Sequence, residues 1–478
     1  MAGVVGDNLS REELLALVRQ LSVQNDELKR RVAQLERELA AARKNSSNSS
    51  KPPSSDITQP GRDRSAGSGD AGRVSRRKIG GQPGHVKHER APFPPGQVHR
   101  FRTHRLRRCP DCGGRLRHLK EQARVMQQVE IVVTPVRVTE HRAEGYACRH
   151  CGRTHHAPLP PTVEAGGLLG PRLTAIVAYL KGACHASFST IRKFFRDVLK
   201  LPLSRGYLVK LLRKATRAME PAYAALRQRL PNESRLNVDE TGHRENGKRP
   251  WTWCFRADDF AWFQIADSRG SDVLWETLGA EFAGVLGCDY FSAYRKFMKG
   301  CDIRVQFCLA HLIRDLRYME TLPDRATMVY AGSLVMALRD VFRVIHRRER
   351  LTPAGFTRAL RDRRDVIVEM ATHRAPRTPE AQNMAARFRR HGHAYFEFIT
   401  TPGVSPTNNL AEQAIRFVVI DRHITQGTRG AAGRRWCERI WTTLATCAQQ
   451  GRSAFEFLHA ALVAEFTRKP APLLYNTS

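Results

Sequence analysis

Three carboxylates, each in its own local setting, are the residues of this 478-residue chain best placed to do chemistry. Asp239 lies in Leu236-Asn237-Val238-Asp239-Glu240-Thr241-Gly242, and Asp289 in Val285-Leu286-Gly287-Cys288-Asp289-Tyr290. Glu412 lies in Thr407-Asn408-Asn409-Leu410-Ala411-Glu412-Gln413-Ala414-Ile415-Arg416. Two Asp at strand ends and a Glu on a later helix can converge on a pair of Mg²⁺ or Mn²⁺ ions. Such a pair can activate an attacking oxygen and stabilise the leaving oxygen of a phosphodiester. The chain carries 79 Lys and Arg against 46 Asp and Glu, a formal net charge of +33. A basic field of that size raises affinity and on-rate for polyanions. Carboxylate chemistry in such a field points to the cutting and joining of double-stranded DNA.

A second constellation points to another metal. Cys109-Pro110-Asp111-Cys112-Gly113 and Cys148-Arg149-His150-Cys151-Gly152 form a C-x2-C … C-x2-C set. Each knuckle bends the chain so that two thiolates can face one tetrahedral Zn²⁺, and the following Gly relieves the turn. Cys109, Cys112, Cys148 and Cys151 complete a structural zinc shell, with His150, His155 and His156 as alternative ligands. The stretch between the knuckles holds β-rich runs at Val129 to Val133 and Val136 to Tyr146, split by Thr134-Pro135, which read as a hairpin. Arg105, Arg107 and Arg108, with Arg100, Arg102, Arg115 and Arg117, supply cations for DNA phosphates. The alternative is a zinc ribbon serving only as scaffold.

Bulk composition excludes several classes. No apolar run approaches the ~18 residues of a membrane helix. The start, Met1-Ala2-Gly3-Val4-Val5-Gly6-Asp7, lacks the basic and apolar regions of a signal peptide. A cytoplasmic address without membrane partners is expected, where the eleven cysteines stay reduced.

Six regions must position these groups. Residues 1–44 carry heptads with Leu14, Leu21, Leu28 and Leu35 at one core position and Val18, Asn25, Val32 and Leu39 at the other. Leu at d, β-branched Val at a and a single a-position Asn favour a parallel two-stranded coiled coil, hence a homo-oligomer. Residues 45–84, rich in Ser, Asn, Pro and Gly and then basic, read as a flexible linker. Residues 85–165 form the zinc-binding domain. Residues 166–232 are helical, and the basic helix after Ser204-Arg205-Gly206 is compatible with helix-turn-helix or with a plain connector. Residues 233–420 form the catalytic domain with a helical insertion at about 320–400, and residues 421–478 are helices packing back on it.

Within the catalytic domain the expected order is three strands (Arg235 to Asp239, Trp251 to Ala257, Phe260 to Ala266), a helix, a strand ending at Asp289, and helices around a strand at Arg304 to Phe307. That is the order of an α/β fold of RNase H-like type. It places the first Asp on the first strand, the second just after the fourth, and the Glu on a later helix. Singly, an Asp at a strand end is usually a turn former or helix cap, and Glu412 can be half of an i,i+4 pair with Arg416. The order of all three outweighs those readings. Glu240 faces away from Asp239 by strand alternation and stands outside the trio. Cys308-x-x-His311 reads as half of a metal site, as a phosphate contact through His311, or as a plain helix start. Arg416 is the nearby candidate for a DNA phosphate.

The chain resembles the DDE transposases of the bacterial insertion-sequence-sixty-six family along nearly its whole length. The matching residues are the zipper, Lys44-Asn45-Ser46-Ser47-Asn48-Ser49-Ser50-Lys51-Pro52-Pro53-Ser54-Ser55-Asp56 and Gly80-Gly81-Gln82-Pro83-Gly84-His85. Both C-x2-C knuckles, Asp239-Glu240-Thr241-Gly242, Cys308-Leu309-Ala310-His311 and Thr407-Asn408-Asn409 to Glu412 match as well. The resemblance implies Asp239, Asp289 and Glu412 as catalytic triad and the four Cys as the zinc site. It implies two-metal phosphoryl transfer, with Asp239 bridging both ions and Asp289 and Glu412 each completing one shell. Strand cleavage at the element's terminal repeats would be followed by attack of the freed 3′-OH on target DNA. It also implies a bacterial, nucleoid-associated protein that works with accessory proteins of the same element. Two departures stand out: Gln413 where the family often has Arg, and Gly427 to Trp436, which differs from its commonest version. A DNA-binding regulator with a catalytically silent fold, or a nuclease without strand transfer, would share most of these features.

Overall fold

The computed structural model describes residues 11–42, 91–102, 108, 110–115, 125–129, 132, 135–147, 149–151, 153–301 and 303–475. The linker expected at 45–84, the Lys44 to Asp56 and Gly80 to His85 segments, Cys109, Cys148, Arg105 and Arg107 lie outside them. The chain divides into two units, Met1–Pro60 with Arg142–Ser478, and Gly61–His141. Among the described residues of the smaller unit a 3₁₀ turn forms at Pro95–Gln97, and the Gln127 amide bonds both backbone groups of Phe93 at 2.6 and 2.9 Å. The larger unit begins with helix α1 (Arg11–Ala42), on which the heptad residues Leu14, Val18, Leu21, Leu28, Val32, Leu35 and Leu39 are all exposed.

The hairpin expected between the knuckles is displaced. Among the described residues of Val129 to Glu144 there is no strand, and the hairpin is β1 (Gly145–Ala147) paired antiparallel with β2 (Thr154–His156). It brackets the second knuckle instead of linking the two. Glu130, Ile131, Val133 and Thr134 of the expected hairpin lie outside the described residues, and Val129, Val132 and Val138 are exposed.

A helical region follows, beginning at Pro161, within the stretch 85–165 expected for the zinc-binding domain. It comprises α2 (Pro161–Gly166), α3 (Pro171–Gly182), α4 (Phe188–Asp197) and α5 (Arg205–Arg229). Ser187 and Ser204 cap α4 and α5 by accepting from the backbone N–H of Thr190 and Tyr207 at 3.0 and 3.1 Å. Buried residues run along α5 from Leu208 to Leu226, so this helix connects its neighbours over its whole length. Lys214 donates to the carbonyls of Ala165 and Gly166 at the end of α2 (2.6 and 2.9 Å), while Lys210 and Arg213 remain exposed.

The frame of the larger unit is a mixed five-stranded sheet. Its strands are β3 (Arg235–Gly242), β4 (Trp251–Arg256), β5 (Ala261–Ala266), β6 (Val285–Cys288) and β7 (Arg304–Phe307), in the spatial order β5-β4-β3-β6-β7. The first three form an antiparallel meander, and β6 and β7 join parallel to β3. Parallel pairing needs crossovers, which α6 (Asp272–Leu278) and α7 (Ser292–Cys301) provide. Trp253, Phe255, Trp262, Phe263, Tyr294 and Phe297 fill the core with almost no exposure.

After β7 come α8 (Leu309–Met319) and the helical insertion: α9 (Arg325–His346), α10 (Pro353–His373), α11 (Pro379–His391) and α12 (Glu397–Thr400). Helices α13 (Asn409–Thr425), α14 (Ala431–Gln449) and α15 (Ala454–Thr467) complete the unit. The boundary expected at residue 420 falls inside α13, and α14 packs against the sheet. Edge strand β5 has unpaired N–H groups at every second residue. Those of Ala261, Phe263 and Ile265 donate to Thr446 Oγ1, Thr442 Oγ1 and Glu438 Oε1 of α14 at 3.2, 3.1 and 2.9 Å. Two strand residues rise about 6.8 Å and four helix residues about 6.0 Å, so an i,i+4 row of acceptors follows a period-two row of donors. This satisfies the edge and closes it to further strand pairing. Among the described residues no helix is long and apolar enough to cross a membrane.

Candidate active site

Strand β3 alternates between faces, and its register with β6 pairs Arg235 with Val285, Leu236 with Leu286 and Asn237 with Gly287. Two residues beyond the last pair of that register lie Asp239, still on β3, and Asp289, just past the end of β6, and Asp289 is close enough to raise the Asp239 carboxyl. Gly287 is required by the local crowding, since a Cβ there would lie 2.5 Å from Asn237 Nδ2. Asn237 uses that nitrogen to donate to Asn408 Oδ1 at 2.9 Å. Asn408, buried at the start of α13, donates in turn to the Val238 carbonyl at 2.8 Å, and its backbone N–H donates to Cys308 Sγ at 3.1 Å. These bonds tie the beginning of α13 to the strand residue preceding Asp239. Glu412 stands one turn into that helix.

The electrostatics follow from this convergence. Burial pushes the Asp239 carboxyl well above the usual carboxylate range, and Glu240, Asp289 and Glu412 raise it further by repulsion. Asp289 is pushed up to about 7, again by burial first and by Glu240 next, although its Oδ1 accepts the Phe291 N–H at 2.9 Å. Among the described residues neither Asp239 nor Asp289 enters an ion pair. Glu412 is held differently: Arg314 donates to its Oε1 at 3.1 Å, and His311 Nδ1 lies 3.4 Å from the same oxygen without hydrogen-bond geometry. The alternative of an i,i+4 pair between Glu412 and Arg416 is not formed among the described residues, where Arg314 of α8 makes the contact and Arg416 is exposed.

Glu240 does face away from Asp239, into the core, with 3% exposure. There it pairs with Arg269 (2.7 and 2.9 Å) and accepts from the Tyr294 hydroxyl. Strand alternation gives its direction but not its reach, because it contributes to the raised pKa of both Asp239 and Asp289.

Cys308, at the N-cap of α8, and His311, one turn later, are buried. Burial raises the Cys308 thiol to about 11 and lowers the His311 imidazole to about 4. Their ligand atoms and a Glu412 oxygen all lie within 4.8 Å of one another. Sequence spacing found Cys308 and His311. Asn237, Asn408 and Arg314 were missed as positioning residues, and only Asn408 had a signal, the polar run Thr407-Asn408-Asn409 ahead of an acidic helix turn.

Of the zinc knuckles, Cys112 and Cys151 are described, and both are exposed thiols. Gly113 after Cys112 adopts φ +72°, the turn expected of a knuckle. Arg108 is exposed. A groove of about 1150 Å³ lies elsewhere, between α3–α5 and α13–α14. His185 and Asp421, paired at 2.8 Å, line it, and none of the three carboxylates does.

Residues 166–435, which include Asp239, Asp289 and Glu412, match the Transposase IS66 family. Residues 106–152, which include all four knuckle cysteines, match the zinc-finger binding domain of transposase IS66. Residues 6–91 match a Family of unknown function (DUF6444). An "Uncharacterized protein y4hP" of Sinorhizobium fredii (strain NBRC 101917 / NGR234) is 24% identical over 225 residues, covering 43% of this chain and 40% of that protein. The chain thus aligns with about two fifths of that relative's length.

Proposed function

This chain belongs to the IS66 transposase family and carries the family's zinc-finger domain, and we propose that it is a DDE transposase whose sheet is an RNase H-like core. The observation that carries this reading is that Asp289 and Glu412 lie near enough to Asp239 to raise its carboxyl by repulsion. Asp239 lies on β3 and Asp289 just after β6, both with raised pKa values and, among the described residues, without an ion pair, and Asn408 ties the start of the Glu412 helix to the residue before Asp239. A fold gains nothing from mutually repelling carboxylates unless a cation offsets them. The donor set is all oxygen, which fits Mg²⁺ or Mn²⁺ held partly by water. Asp239, Asp289 and Glu412 would hold a pair of such ions, which supply charge stabilisation at the attacking and leaving oxygens of a phosphodiester.

The protein's own groups do the rest. Asn237 and Asn408 fix the start of α13 so that Glu412 meets the strand ends. Arg314 occupies Glu412 Oε1 and leaves the second oxygen for ligation. Arg416, exposed one turn on, contacts DNA phosphate, joined by Arg105, Arg107 and Arg108 beside the zinc knuckles. Cys109, Cys112, Cys148 and Cys151 hold a structural Zn²⁺, and the exposed Leu and Val of α1 pair with a second copy. The substrates are the terminal repeats of its own element and target DNA in the bacterial cytoplasm, at the nucleoid, with accessory proteins of the same element.

The deciding experiment incubates full-length protein with a labelled duplex of its element's end, a second duplex and Mg²⁺, with Asp289→Ala in parallel. Joined product that disappears in the variant supports the transposase. Cleavage without joining supports a nuclease, and binding indifferent to the substitution sinks the catalytic reading.

A further inference from the structure

We propose that Cys308, His311 and Glu412 form a further metal site for a borderline, thiophilic cation of the Zn²⁺ class, distinct in chemistry from the all-oxygen Mg²⁺ centre. The binding of the ion stands apart from the reading of the active site. Only the consequence that Glu412 serves both sites rests on that reading.

Four observations converge on it. The three ligand atoms lie within 4.8 Å of one another, and four-coordinate Zn²⁺ with bonds of 2.0 to 2.3 Å sets its donors about 3.5 Å apart. A modest side-chain adjustment closes that gap. Cys308 and His311 are only 1 and 8% exposed, so the donors are already largely shielded from water. His311 Nδ1 is buried without a hydrogen-bond partner, a state that native proteins avoid because the desolvation of the group goes uncompensated. An ion on that imidazole removes the orphan. The surroundings are also built to orient the ligands. The Asn408 N–H donates to Cys308 Sγ at 3.1 Å, and Arg314 holds Glu412 Oε1 at 3.1 Å, leaving its other oxygen free. Metal ligands are characteristically fixed by such outer contacts.

The donor set decides the class of ion. One thiolate, one imidazole and one carboxylate suit Zn²⁺ or Co²⁺, whereas Mg²⁺ selects oxygen alone. Three protein donors leave a fourth position for water or a phosphate oxygen. Glu412 is the residue common to this site and to the acid cluster, so an ion here would tie up one carboxylate of the Mg²⁺ centre.

Full-length protein with zinc left in its knuckles is dialysed against metal-free buffer and titrated with Co²⁺, followed by absorption spectroscopy. The wild type is expected to take up one further equivalent, with a thiolate-to-cobalt charge-transfer band and the intense visible bands of four-coordinate Co²⁺. Cys308→Ser loses the charge-transfer band, and His311→Gln loses the visible intensity, each with an unchanged far-UV circular dichroism spectrum. No such band in the wild type, or a band of equal strength in Cys308→Ser, overturns the site. If a variant does not fold, alkylation of Cys308 in the wild type, mapped by mass spectrometry, replaces it. Co²⁺ must slow that reaction, and an unchanged rate overturns the proposal. None of these readouts requires transposition, so their failure is separable from failure of the active-site reading.

Discussion

Asp239 and Glu240 are neighbours on β3, yet their surroundings are opposite. Glu240 points into the core, where Arg269 and the Tyr294 hydroxyl take up both its oxygens. Asp239 points to the other face, where the nearest charges are carboxylates and its pKa climbs. The paired acid joins α7 and the 267–271 loop to the sheet, and its removal should be felt by the fold. The unpaired acid raises the energy of the folded chain until a cation arrives, and its removal should be felt by chemistry. Position on the strand thus says less about an acid's role than whether its charge is compensated.

The largest effect expected from this contrast is at Asp289, whose carboxyl is likewise raised and which enters no ion pair among the described residues. On the proposed reading Asp289→Asn lowers strand cleavage by at least about 10³-fold, the scale lost when one member of a concerted group is removed. Stability should move the other way. The folded pKa, about 7, lies above the unfolded value. The native state therefore binds more protons between about pH 4 and 7, and wild-type stability at this site declines as pH rises through that window. Without Mg²⁺ the Asn variant should melt higher than wild type, by a margin that grows from pH 4 to 7. With Mg²⁺ only the wild type should gain. A variant that melts lower at pH 8 would break the contrast.

Glu240→Gln is the counterpart. It leaves Arg269 beside a neutral amide in the core, and breaking a buried pair of this kind costs about 3 kcal/mol. Urea unfolding followed by the fluorescence of buried Trp253 and Trp262 measures that loss. Arg314→Met sharpens the comparison from an intermediate position, because Arg314 compensates Glu412 only partly and both are partly exposed. Freed from its anchor, Glu412 should hold metal less well. A fall of about ten-fold or more in cleavage, with less than about 1 kcal/mol of stability, would mark Arg314 as a positioning residue.

Much of the frame was legible. The strands at 235, 251, 261, 285 and 304 fall where alternation and β-branched runs place them, because each buries at least one face against helices. The Asp239 and Asp289 pairing followed from that order. What escaped depended on contacts distant in sequence. Arg314 reaches Glu412 across 98 positions, Asn408 reaches Val238 across 170, and α14 lies along β5 across more than 170. No local period encodes such encounters. In the hairpin expected between the knuckles, the described residues Val129, Val132 and Val138 are exposed and form no strand.

The smallest expected effect tests the surface edge of the same contrast. Arg416 shares α13 with Glu412, yet Glu412 takes its cation from α8, so Arg416 stays exposed with its charge available. A guanidinium that contacts one DNA phosphate releases about one counterion, so Arg416→Ala should reduce the slope of log affinity against log salt by about 0.9. The loss should be uniform across DNA sequences, because a phosphate contact carries no base information. Folding stability should stay within about 0.5 kcal/mol of wild type, as for other exposed positions. If the melt drops and the salt slope is unchanged, Arg416 serves the fold, and the cations that guide DNA to the acid cluster must be sought on other elements, beginning with Lys210 and Arg213 of α5.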